Sequence, residues 1–150
     1  MITIKEEKEN KKKKVEPHYI VKYEYIIGDS DGYTSEKVNV SLKNPYVERY
    51  VKLLNSLEPV EDKWGVMLDE TDLIDHLNAK QISEDDYNFL LRMMFEESES
   101  KFEVSEENQK YANEFFDGVY SDTEYSFLVF EKIKLFYVDE FGKKHKTEVK

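Results

Sequence analysis

Between Tyr19 and Leu42 the chain alternates apolar and polar positions in two arms. In the first, Ile20, Lys22, Glu24 and Ile26 alternate with Tyr19, Val21, Tyr23, Tyr25 and Ile27. In the second, Val38, Val40 and Leu42 alternate with Lys37, Asn39 and Ser41. Gly28-Asp29-Ser30-Asp31-Gly32 lies between them, and an Asp-Gly pair between such arms is the strongest short-range hairpin signal. A period of two puts one side of each arm toward a core and the other toward water.

After the second arm the period changes to that of a helix. Asn44-Pro45 reads as an N-cap followed by proline at the first helical position. Tyr46, Tyr50, Leu53, Leu54 and Leu57 then predict an amphipathic helix over 45–57, ended by Pro59. Trp64 and Gly65 fall in the next connection, where a lone Trp either anchors a loop or stacks on a ligand. Val66, Met67 and Leu68 form a short apolar piece. Residues 69–79 carry acids in their first turn, which a helix N-terminus favours, with Leu73, Ile74 and Leu77 as the buried stripe.

Ser83-Glu-Asp-Asp resembles a capping box and opens a helix whose core face is Tyr87, Leu90, Leu91, Met94 and Phe95. Ser105 opens another over 106–117, with Asn108, Tyr111, Ala112, Phe115 and Phe116 inside and Gly118 at the left-handed C′ position. From Tyr125 the run YSFLVFEKIKLFYV mixes aromatic and β-branched residues and predicts strand. Asp139-Glu140-Phe141-Gly142 makes a turn, and His145 to Val149 returns as an edge strand studded with Lys. Residues 1–17 are expected to be a mobile charged tail before a single domain over 18–150. The order β-β-α-α-α-β-β predicts an α+β fold: an antiparallel sheet from both ends of the chain, with three or four central helices packed on one face.

Composition fits one folded domain. The chain has 150 residues, 39% apolar and 14% aromatic, and an aromatic share that high is foreign to disordered chains. No run of 18 apolar residues exists, so no membrane span is expected. The N-terminal lysines have no apolar stretch behind them, so neither is a secretory signal. Zero Cys excludes thiolate catalysis and Cys-based zinc, and suits a cytoplasmic, reducing setting.

Charge is distributed unevenly. The net charge is −11, and residues 58–124 hold 20 acidic groups against five basic ones. Both hairpin regions are neutral or slightly basic. Such acidity either keeps a small protein soluble or steers it onto a basic partner. Direct binding to nucleic acid is not expected, because neutralising phosphates takes Lys and Arg clustered on one face. Lys11 to Lys14 could touch an anionic surface, yet beside four glutamates they read as solvated.

Candidate chemistry is sparse. Asp69, Asp72, Asp75 and His76 cluster, with Asp72 and His76 one helical turn apart and Asp69 within reach of the same face. These are the makings of an oxygen-and-imidazole metal site and so of a metal-dependent hydrolase; acids at a helix start also need no metal to explain them. Asp29, Ser30 and Asp31 begin like a calcium loop, but the Gly comes too early and no Glu follows at the twelfth position. No nucleophile elbow, phosphate-cradling loop or other cofactor motif is present. Tyr23, Tyr25, Trp64 and Phe127 are the candidate lining of an aromatic pocket for a nucleotide-like ring.

The leading expectation is therefore a non-catalytic binding protein. Glu96, Glu97, Glu99, Glu103, Glu106 and Glu107 are the densest acids, with Asp85 and Asp86 behind them. Glu96, Glu97 and Glu99 crowd the end of a predicted helix, where the dipole disfavours them, and that cost hints at a use. In size, acidity and Lys/Asn/Tyr/Ile-rich usage the whole chain resembles the small acidic accessory proteins that bacterial viruses make against host defence or host nucleic-acid enzymes. No motif is shared, so the resemblance carries over no residue. It implies an inhibitor of a basic, nucleic-acid-binding protein.

Overall fold

The computed structural model describes residues 15–27, 34–60, 66–67, 70–96, 98–116, 127–129 and 133–147. In chain order they form β1 (His18–Ile27), β2 (Thr34–Ser41), α1 (Val47–Ser56), β3 (Val66–Met67), α2 (Glu70–Asn78) and α3 (Glu84–Met94). A 3-10 turn (Glu106–Asn108), α4 (Gln109–Asn113), β4 (Phe127–Val129), β5 (Lys134–Val138) and β6 (Lys144–Thr147) follow. The fold is α+β, with an antiparallel sheet drawn from both ends of the chain and helices on one face.

β1 is the axis of the sheet. Along one edge it pairs with β2, from His18↔Ser41 to Tyr25↔Thr34. Its other edge is shared: β5 takes His18 to Lys22, and β4 takes Tyr25 to Ile27. Between Val129 and Lys134 the chain advances five positions while β1 advances three, from Tyr25 to Lys22. β4 and β5 thus share this edge of β1 as two strands. β3 extends the sheet beyond β4, and β6 beyond β5. The Asp-Gly turn of the first hairpin, Trp64, Gly118 and the tail before Val15 lie outside the described residues. The Val15 N–H donates to the Glu140 carbonyl at 2.7 Å, tying residues 15–17 to the β5–β6 turn. In that turn Asp139 Oδ1 accepts from the N–H groups of Phe141 and Lys143, and Gly142 takes the positive φ of 78°.

The core lies between helices and sheet. Val21, Tyr23, Val38, Val40 and Leu135 meet Tyr50, Val51, Leu54, Leu73, Phe89, Leu90, Met93 and Phe115. Tyr50 stacks on Phe115 with centroids 4.2 Å apart, worth about 1 kcal/mol beyond the area buried. Asn55 binds both backbone groups of Ile133, fastening α1 to the start of β5.

Four local expectations are corrected. α1 starts at Val47 rather than residue 45, because Asn44 Oδ1 accepts from the Tyr46 N–H and closes an Asx turn instead of capping. α2 buries Leu73 and His76 and leaves Ile74 36% exposed, so the stripe is turned from the one apolar spacing suggested. α3 buries Phe89 and Met93 as well, since other elements pack around it, and Tyr87 is half-buried. The last helix is a short piece. Asn44 Nδ2 takes the Tyr111 carbonyl at 2.8 Å, which also receives the Glu114 N–H, so the last turn tightens instead of continuing to 117.

Candidate acidic interface

Ser83 caps α3: its hydroxyl accepts from the Asp86 N–H at 3.1 Å, worth about 1 kcal/mol. That fixes where Glu84, Asp85 and Asp86 stand. The chain after α3 then doubles back along it. The Ser100 hydroxyl donates to the Asn88 carbonyl, and the Lys101 N–H donates to Asn88 Oδ1 at 3.0 Å. Phe102 locks this return, meeting Phe89 edge-on at 5.2 Å and Tyr46 at 6.0 Å. The Arg49 guanidinium sits 4.2 Å over the Phe89 ring.

This return builds a groove of about 510 Å³ between α2, α3 and residues 99–101. Ile74, Leu77, Tyr87 and Leu91 give it apolar lining, and Glu84, Glu99 and Lys101 stand with them. Glu84 and Glu99, 15 positions apart in sequence, share one site only because Asn88 holds the returning segment.

The predicted partner-binding acids divide into groups. Asp85, Glu96, Glu99, Glu103, Glu106 and Glu107 are exposed, and none forms a salt bridge among the described residues. Asp86 does: its Oδ1 accepts from Arg49 Nη2 at 2.9 Å, so its charge is matched within the fold. Glu96 lies just beyond the end of α3, after Met94 and the cap residue Phe95. Glu106 and Glu107 border a separate hollow with Ser105. Glu97 lies outside the described residues. Glu84 and the apolar floor were missed by sequence reasoning. The floor residues read as core stripe, and the capping sequence that contains Glu84 was the available signal.

The aromatic pocket loses one proposed wall. Tyr23 has no exposed surface, and its hydroxyl is hydrogen-bonded to Tyr50, so it is a core residue and stacks on no ligand from solvent. Burial, with the Tyr50 neighbour, raises its pKa well above 10; burial likewise raises that of Tyr50. Trp64 and the side chains of Tyr25 and Phe127 lie outside the described residues.

His76, the proposed imidazole ligand, is 2% exposed and has an internal partner. Gln81 Nε2 donates to the Glu58 carbonyl and its Oε1 accepts from the Glu58 N–H, which fixes the amide orientation. The same oxygen lies 3.0 Å from His76 Nδ1, so that nitrogen carries the proton. Asp69 and the side chain of Asp72 lie outside the described residues, and among those described no group of three candidate ligands comes together. Among the described residues no helix is long and apolar enough to cross a membrane.

Comparison with protein-family models, with curated proteins and with solved structures finds no match to this chain.

Proposed function

We propose that this chain is a non-catalytic binding module whose acidic helical side engages a basic protein, of the nucleic-acid-binding kind, and inhibits it. The groove beside α3 carries the reading. Its apolar lining suits the hydrophobic side chains of an amphipathic segment, while Glu84 and Glu99 suit the Lys or Arg that flank them. The exposed acids around it, which form no salt bridge among the described residues, add a field that speeds encounter with a positive surface. Occupying a surface that the partner offers to phosphates is the means of inhibition.

The test joins capture to kinetics. Immobilised protein should retain basic proteins from a lysate, and the double reversal Glu84→Lys with Glu99→Lys should lose them while the fold is kept. With a purified captured partner, the association rate should fall steeply as salt rises from 50 to 300 mM. Unchanged capture by the charge-reversed protein would sink the proposal. Asp86 is unsuitable for such a test, since reversing it breaks the pair with Arg49.

A further inference from the structure

On the side of the sheet away from the helices, cross-strand pairing sets lysines next to one another. Lys37, Lys22 and Lys134 stand directly opposite in a row across β2, β1 and β5. The next row is Asn39, Ile20, Phe136 and Lys146, and the third ends with Lys144 beside Val138. The Lys144 ammonium lies 5.1 Å over the Phe136 ring. The Lys37 ammonium beside it, with Lys22 behind, holds its pKa below the ordinary lysine range.

Like charges opposite one another across a sheet are destabilising, and here they are hardly relieved. Lys22 reaches Glu24 at 3.2 Å. Among the described residues Lys37, Lys134, Lys144 and Lys146 meet no carboxylate. Of these five lysines, gathered on one face from four strands, only Lys22 meets a carboxylate among the described residues.

We infer that this open sheet face binds single-stranded nucleic acid, the lysines taking phosphates while Phe136 and Ile20 form the floor on which bases lie. Basic side chains around an aromatic on a flat sheet are the general means of holding an unpaired strand. A duplex keeps its base faces stacked inside and would leave Phe136 and Ile20 unused. A second copy of the chain is the poorer occupant. Its acidic helical side and its basic sheet side lie on opposite flanks, so that contact would propagate without closing. The overall negative charge is no obstacle: at physiological salt the screening length is about 8 Å, less than the roughly 10 Å diameter of the intervening helices. This surface is separate from the acidic groove, and neither proposal requires the other.

The experiment is fluorescence anisotropy of labelled 20-mers, dT and rU, against full-length protein at 100 mM salt. At least one single strand should bind, and binding should weaken as salt increases. Lys37→Glu with Lys144→Glu should cut affinity at least tenfold. Lys37→Glu places an acid opposite Lys22, so this variant relieves repulsion and keeps the fold, which circular dichroism verifies. Phe136→Leu keeps apolar bulk but removes the aromatic face, and should cost about fivefold or more. The inference is overturned if neither strand binds, if the lysine reversals change nothing, or if a 20-bp duplex or polyglutamate binds as tightly.

Discussion

The Tyr23 hydroxyl donates to the Tyr50 hydroxyl at 2.8 Å, joining β1 to α1 through the centre of the core, where both side chains are wholly buried. Removing one hydroxyl orphans the other. Tyr23→Phe and Tyr50→Phe should therefore each cost about 1–3 kcal/mol in urea unfolding. The double variant should cost much less than the two together, because it leaves no polar atom unpaired. Additive losses would show that the hydroxyls do not depend on each other.

The same pair sets an alkaline limit. Both tyrosines have pKa values raised in the folded protein, so between the ordinary value near 10 and the folded values the native state holds more protons than the unfolded one. Stability is then fully present below pH 10 and falls as pH rises above it, by up to about 1.4 kcal/mol per pH unit for each group. Urea midpoints from pH 8 to 11.5 should fall more steeply for the natural protein than for Tyr23→Phe with Tyr50→Phe. Parallel profiles would assign alkaline unfolding to other groups.

Glu114 fastens the end of β2 to α4. One carboxylate oxygen accepts from the Ser41 N–H at 3.0 Å and from its hydroxyl at 2.6 Å, and the other accepts from Asn44 Nδ2 at 2.9 Å. Glu114→Ala strands three donors and should lower stability by about 2–3 kcal/mol, with Glu114→Gln losing less. Thermal midpoints measure both. A loss below about 0.5 kcal/mol for the alanine variant would mean that water replaces the carboxylate without penalty.

At the end of α2, Lys80 occupies the left-handed region with φ of 62°. The Gln81 N–H bonds the His76 carbonyl and the Lys80 N–H bonds that of Leu77, a Schellman closure whose C′ position favours glycine. Lys80→Gly should stabilise the protein by about 1 kcal/mol, read as a higher urea midpoint at unchanged slope. Destabilisation would show that the lysine side chain contributes more than its backbone strain costs.

Much of the architecture was legible because it is local. The period of two in Tyr19–Leu42 and again before Asp139, and the period of 3.6 between them, define strands, helices and their order. Ser83 announced its helix by chemistry that acts over three residues. What misled was wherever a distant group intervened. The Tyr111 carbonyl went to Asn44 and shortened α4. His76, polar in the sequence, took a core position because Gln81, itself anchored on Glu58, supplied its partner.

The candidate surfaces divide the same way. The sequence by itself determined that acids concentrate in the middle of the chain, over residues 58–124, since that is a count along it. Only the tertiary structure decided that Glu84 and Glu99 border one groove, because Asn88 folds the later segment back. It alone also gathered Lys22, Lys37, Lys134, Lys144 and Lys146 on one face. Spread over 125 positions and mixed with acids, those lysines read in the sequence as neutral hairpins. Strand pairing acts across the chain, bringing distant residues within about 5 Å, and no composition or spacing records which neighbours it will choose.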